Sequence, residues 1–367
     1  MSPSAFVAHQ QTSSMSEIPS ITGAMETIRN TISENLGGPA HALASPENSF
    51  SLEEVPDLSG KVAVVTGGSE GIGFGCTHTL LSKNISKLFV TSMRQEVADE
   101  ALNAIEEEFG PEARKKFIWK QCDLSDWVQT SKVASEIAEQ TDRIDILINN
   151  AGRGIMTRQL NKDGIDLHMA VNHFGHVVLT SHLLPTIKGT ADKGNTVRIV
   201  CVSSNLHAQA PKETEFASVA ELNKDYGPQP QYGRSKLANL LYAKWLNQHL
   251  KAEHPNIIVN AIHPGIVDTA QTNVHIHEAF PLLGYGMSVG LKPFRKSQFE
   301  GCVSSMYAAT MAETGGNYIA PQKVYETPSE MGQDMTLADR LMKLTAEIVE
   351  SKTRTESSAK GCPFKED

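Results

Sequence analysis

The stretch Thr66-Gly67-Gly68-Ser69-Glu70-Gly71-Ile72-Gly73 constrains the fold of this chain more than any other. It follows Lys61-Val62-Ala63-Val64-Val65, a β-branched apolar run that reads as a buried strand. It leads into Phe74 to Lys83, which has helical character. A strand whose end is rich in glycine and opens a helix suits a pyrophosphate. The backbone can turn tightly there, and free N–H groups and the helix dipole favour negative charge. The spacing is Gly-x-x-x-Gly-x-Gly, which departs from the Gly-x-Gly-x-x-Gly of the general dinucleotide fingerprint. Alone, it also suits a strand end that is glycine-rich for steric reasons.

Downstream of this turn, strand and helix patterns alternate, which argues for a single doubly wound α/β domain with a parallel sheet covered on both faces. Apolar runs predict further strands at 87–92, 117–121, 144–148, 197–202 and 257–262. A long helix is predicted over 164–184, and Leu337, Leu341, Leu344 and Ile348 mark an amphipathic one near the end. The catalytic domain spans 56–350, after an arm at 1–55 that is rich in Ser, Thr, Pro and Gly and expected to be partly disordered. Within the arm, 24–36 could form a short helix. Polar residues 207–231 form an insertion, and 351–367 a disordered tail.

Composition excludes several function classes. A net charge of -9 speaks against a nucleic-acid partner, which would call for a basic face. Cys76, Cys122, Cys201, Cys302 and Cys362 include no C-x-x-C pair, so free thiols in a reducing compartment are expected and a metal site is not. No apolar run is long enough to span a membrane. The amino terminus has neither a secretory nor a transit-peptide pattern, which makes the cytoplasm the expected location.

Five further features bear on the chemistry. Asn149-Asn150-Ala151-Gly152 ends the fourth strand with small residues and amides that would let a sugar approach. Asp123-Leu124 ends the third, where an aspartate could hold an adenine edge or simply cap a helix. Ser203-Ser204 ends the fifth. Tyr232-Gly233-Arg234-Ser235-Lys236 then opens a helix, and the i,i+4 spacing places Tyr232 and Lys236 on one face. A phenol titrates near pH 10 when unperturbed, and an ammonium beside it would lower that value toward the working range of a base. Such pairs are also common on exposed helices with no chemical role. Asn172 could be a buried amide that bonds a carbonyl, or could anchor a proton relay.

Taken together and in this order, with His263-Pro264-Gly265-Ile266-Val267-Asp268-Thr269 following, these motifs resemble the short-chain dehydrogenase/reductase family from about Leu58 to Ile348. Asn172-His173-Phe174-Gly175-His176, Tyr232 to Asn239, and the wide separation of Ser204 from Tyr232 are similar to its retinol-dehydrogenase-like branch. The resemblance implies an NAD(P)-dependent alcohol dehydrogenase or carbonyl reductase of Rossmann fold. Tyr232 would be the acid/base, Ser204 a donor to the substrate oxygen, Lys236 the ribose anchor, and Asn172 the end of the relay. The cofactor would lie along Thr66, Gly67, Ser69, Gly71, Ile72, Gly73, Ser92, Arg94, Asp123, Leu124, Asn150, Ala151, Gly152, Tyr232, Lys236, Pro264, Gly265, Ile266 and Thr269. A homodimer is in keeping with the family. Arg153 is bulkier than a cofactor wall would suggest.

NADP(H) is the expected cofactor, because the second strand ends Thr91-Ser92-Met93-Arg94 with no acid to repel a 2′-phosphate. Arg94 could pair with that phosphate, while Glu70 would oppose it. Residues 270–296, with Phe280, Leu282, Tyr285 and Phe294, read as a substrate lid for a mostly apolar small molecule, or as a membrane or partner contact. A cofactor-bound redox sensor or scaffold without turnover is the alternative function.

Overall fold

A computed structural model describes residues 49–265 and 297–357. The arm through residue 48, the lid at 270–296, and Ile266 and Thr269 lie outside them. Among the described residues eight strands form one sheet in the order β3-β2-β1-β4-β5-β6-β7-β8. In chain order the elements are β1 (Val62–Thr66), α1 (Gly71–Ser82), β2 (Lys87–Ser92), α2 (Gln95–Phe109), β3 (Phe117–Gln121), α3 (Trp127–Glu139) and β4 (Ile146–Asn149). There follow α4 (His176–Asp192), β5 (Val197–Val202), α5 (Pro228–Leu250), β6 (Ile257–Ile262), α6 (Gln298–Thr310), β7 (Tyr318–Ala320), β8 (Val324–Glu326) and α7 (Met335–Ser357).

All neighbouring strands are parallel except β7 and β8, which pair antiparallel at the edge. The inner strands β1, β4 and β6 are buried along their whole length, which explains their continuous apolar sequences. Two cores result, one on each face. Trp127, Leu179, Leu237 and Leu341 belong to the first, beneath α3, α4, α5 and α7. Leu80, Ile105 and Met306 belong to the second, beneath α1, α2 and α6. The chain leaves β1 toward β2 on one side and returns as β4 on the other, so a crevice opens at the carboxyl ends of β1 and β4.

Several boundaries differ from those read off the sequence. Order begins before residue 56: Phe50 and Val55 are buried, and Ser51 and Glu54 form a reciprocal helix cap. Helix α7 continues to Ser357, past the start assigned to the tail. The insertion contains a 3₁₀ turn, Asn205–Gln209, and a short helix, Val219–Leu222, before α5 starts at Pro228. The segment expected as one helix over 164–184 is instead Leu167–Met169, a π-helical turn at Ala170–Gly175, and α4.

Candidate active site

The crevice is a cavity of about 680 Å³. Its walls include Gly67, Gly71, Ile72, Gly73, Ser92, Arg94, Asp123, Leu124, Asn150, Ala151, Gly152, Tyr232, Lys236, Pro264 and Gly265. Thr66, Ser69, Asn172 and Ser204 stand behind or beside these walls rather than among them.

Thr66 is the knot beneath the floor. Its Oγ1 accepts from the N–H groups of Asn150 and Ala151, each at 2.9 Å, and lies 2.8 Å from His176 Nε2. Asn150 Nδ2 donates back to Thr66 O at 2.8 Å, so β1 and β4 end as one bonded unit. The glycine turn then passes close over it. Gly67 has φ +63°, and a Cβ on Gly73 would stand 2.1 Å from Gly67 O and 2.5 Å from Asn150 Nδ2. The rigid, side-chain-free rim that results suits the close approach of a phosphate.

Farther along, Ser92 Oγ lies 2.9 Å from Ser69 Oγ and accepts from Trp119 Nε1 at 2.8 Å. Ser92 is therefore already engaged within the protein. Arg94 and Glu70, both exposed, pair at 3.2 Å across the mouth. Asp123 accepts from Ser125 N–H at 2.9 Å, the bond that shapes the turn after β3.

The polar side of the cavity is built on the end of β5 and the first turns of α5. Lys236 Nζ and Asn239 Nδ2 both donate to Val202 O, at 3.1 and 3.0 Å, and Ser203 Oγ donates to Lys236 O at 2.7 Å. The second serine, Ser204, is the hydrogen-bond partner of the Tyr232 phenol. Lys236 Nζ lies 5.5 Å from the centre of the Tyr232 ring, and a Cβ on Gly152 would stand 3.3 Å from it. Asn172 is fully buried at the π-turn. Its Oδ1 accepts from Arg153 N–H at 2.7 Å, and its Nδ2 donates to Arg153 O at 3.1 Å and to Ser235 Oγ at 2.9 Å. The wider π-turn, a feature that recurs at functional sites, carries the amide that pins the Gly152–Arg153 strip. The bulk of Arg153 is thereby accommodated: its backbone is tied to Asn172, and its side chain reaches toward Met156.

The electrostatics depart from the sequence-based expectation. Burial pushes the Tyr232 phenol up to about 12, and the bond to Ser204 only partly offsets this. Burial also brings Lys236 down to about 8, which weakens the cation expected to favour the phenolate. At neutral pH the phenol keeps its proton. Three contributors to the site had no clear sequence signal: His176, Ser235 and the main chain of Arg153. Burial holds His176 at about 4, so it stays neutral beneath Thr66.

A family model described as short chain dehydrogenase matches residues 61–278. The chain belongs to the short-chain dehydrogenase/reductase family. It is 50% identical over 352 residues to a Neurospora crassa protein, the mitochondrial bli-4, named as an oxidoreductase, covering 95% of this chain and 85% of that one. It is 31% identical over 283 residues to the polyprenol dehydrogenase of Homo sapiens, covering 74% and 80% of the two chains. Among solved structures it resembles the Pseudomonas aeruginosa RhlG/NADP active-site complex, with TM-score 0.54, 25% identity and coverage of 75% and 97%. The mitochondrial relative corrects the expected cytoplasmic location. The amino-terminal composition from which that location was argued is no guide here. No helix among the described residues is long and apolar enough to cross a membrane.

Proposed function

We propose that this protein is an NADP(H)-dependent oxidoreductase acting on the carbonyl or alcohol group of a mostly apolar small molecule. One observation carries the reading: a single cavity joins the glycine turn on β1 to the Tyr232 and Lys236 side chains on α5. The residues fit such a cofactor, because the rim leaves no space for a Cβ at Gly73 and little at Gly67, and Lys236 faces Gly152 at close range. In this reading Gly67, Ser69, Gly71, Ile72 and Gly73 hold the pyrophosphate, and Asp123 and Leu124 the adenine. Asn150, Ala151, Gly152 and Lys236 hold the nicotinamide ribose, and Pro264 and Gly265 the ring. The bound nicotinamide supplies or accepts hydride.

The chain's own part is proton management and orientation. The Tyr232 phenol, protonated at neutral pH, holds the proton that a reduced carbonyl oxygen requires. Ser204 donates to the same oxygen as charge develops on it. Asn172 fixes the strip facing Lys236, and the buried ammonium orients sugar hydroxyls. NADP(H) is favoured over NAD(H) by the absence of an acid at the end of β2 and by the RhlG complex. Arg94 is the residue that would meet the 2′-phosphate, at the cost of its pairing with Glu70. The polyprenol dehydrogenase relative supports an apolar alcohol or carbonyl.

The test is a screen of aldehydes and ketones of graded chain length, followed by NADPH absorbance. Rising kcat/KM with chain length is expected. Equal values across the series would contradict the apolar pocket. Tight NADPH binding with no turnover on any compound would favour a sensor or scaffold.

A further inference from the structure

Behind Ser204 and Pro264–Gly265 lies a cluster of side chains that the proposed chemistry does not use. Tyr318, on β7, is 3% exposed and stands between two imidazoles. His207 meets its ring edge-on with centroids 5.0 Å apart, and His263 stacks on it at 5.4 Å. The hydrogen bonds of each imidazole fix its tautomer. His207 Nδ1 lies 2.8 Å from Ser204 O and must donate, while Nε2 accepts from Ser329 N–H at 3.1 Å. His263 Nδ1 accepts from Gly265 N–H at 3.3 Å, so the ring proton is on Nε2, which faces Glu326 Oε2 at 3.4 Å. The remaining contacts of His263 are rigid. Its N–H donates to Ile319 O at 3.0 Å, and its carbonyl accepts from Ser304 Oγ at 3.1 Å.

We propose that His207 and His263, packed on Tyr318, are positioning residues: the first holds the Ser204 turn and the second holds Gly265 in the cofactor wall. The inference rests on the function proposed above for what the two elements do, but the clamp itself can be read without turnover. Each histidine bonds a backbone N–H through a bare ring nitrogen, so only the neutral imidazole works. A proton on His207 Nε2 expels the Ser329 N–H, and one on His263 Nδ1 expels that of Gly265.

Among the described residues the ionisable groups around the pair are Glu326 on β8, Tyr318 on β7, each other, and Tyr232 through Tyr318. Burial lowers the proton affinity of His207 below that of an ordinary imidazole and the partner histidine adds to this, while the bond to Ser204 O and, less strongly, the Glu326 carboxylate oppose it. The His207 half of the clamp therefore opens as the pH falls. Glu326→Gln removes the charge that favours protonation, and so should move the opening to lower pH.

Hydrogen exchange read at single amides, together with NADPH titration by fluorescence, tests this on the full-length protein. In His263→Ala, Gly265 N–H should exchange faster and the NADPH Kd should rise about tenfold, the equivalent of one bond of about 1.4 kcal/mol. In His207→Ala, Ser329 N–H should exchange faster and kcat should fall about tenfold by the same reasoning, with NADPH Kd within about twofold of wild type. His263→Asn, whose amide oxygen can replace Nδ1, should restore the Kd, and His207→Asn, whose amide N–H can replace the Nδ1 donor to Ser204 O, should restore kcat while Ser329 N–H still exchanges faster. Tyr318→Phe keeps the ring and removes a hydroxyl that has no hydrogen-bond partner among the described residues, so it should match wild type. Exchange at Gly265 and Ser329 unaltered by the alanine variants would overturn the clamp. So would equal losses in Kd and kcat for both variants without rescue by asparagine, the mark of general destabilisation. Altered exchange in a protein whose wild type turns over nothing would leave the clamp standing and refute the functional reading instead.

Discussion

Replacing Gly73 by alanine tests whether the turn after β1 is built for close approach. The new Cβ would stand 2.1 Å from Gly67 O, against an ordinary contact of 3.4 Å or more, and 2.5 Å from Asn150 Nδ2. Neither neighbour can yield freely, because Gly67 N–H is bonded to Thr91 O at 2.7 Å and Asn150 Nδ2 to Thr66 O at 2.8 Å. Forcing a carbon into a packed site costs about 1–3 kcal/mol, and losing the Asn150–Thr66 bond about 1 more. Alanine returns about 1 kcal/mol as the better helix former within α1. The net expectation is a destabilisation of about 1–3 kcal/mol in urea unfolding, with NADPH binding weakened at least tenfold. Gly189→Ala, in α4, is the control. A Cβ there meets nothing within 4 Å, so the variant should gain about 0.5–1 kcal/mol and bind cofactor unchanged. If Gly73→Ala unfolds at the wild-type midpoint and binds NADPH normally, the close-approach argument is wrong.

Three further outcomes are expected. Asn172→Leu leaves the half-buried N–H and C=O of Arg153 without their partner, so it should cost about 1–3 kcal/mol in urea unfolding and lower kcat. Lys236→Met should stabilise the fold at pH 7, because burial disfavours the ammonium. Between about pH 8, where folded Lys236 loses its proton, and the ordinary lysine range, the unfolded chain binds the extra proton. Wild-type stability therefore rises relative to the variant across that window, which melts at pH 7 and pH 10 would reveal. Arg94→Ala should reduce the kcat/KM preference for NADPH over NADH, whereas Glu70→Gln, which frees Arg94 from its ion pair, should increase it. An unchanged ratio in both would remove Arg94 from cofactor choice.

The parts of this fold that were legible in the sequence are those where burial dictates composition. Phe117–Gln121, Val197–Val202 and Ile257–Ile262 are strands with the bounds read from their apolar runs. Tyr318–Ala320 and Val324–Glu326 went unread, since three residues are too few to show a period. The Tyr232/Lys236 pairing followed from helical spacing, but its electrostatics did not. Spacing reveals the neighbouring charge and hides the burial that outweighs it. The π-turn at Asn172 adds a residue to a helical turn without a compositional mark. His176, Ser235 and His207 act through contacts set by tertiary packing, so no local pattern announces them. Arg94 and Glu70 read in sequence as separate influences on a 2′-phosphate, and the structure pairs them across 24 residues.

The most direct test of the central claim is the NADPH-dependent reduction of an aldehyde by Tyr232→Phe, with the NADPH Kd measured on the same protein. Phenylalanine keeps the ring and removes only the phenol that donates the proton. A fall in kcat of about 10² to 10⁴ is predicted, with Kd unchanged within about twofold. Retention of more than about a tenth of wild-type kcat would contradict the account, because a positioned acid contributes more than that.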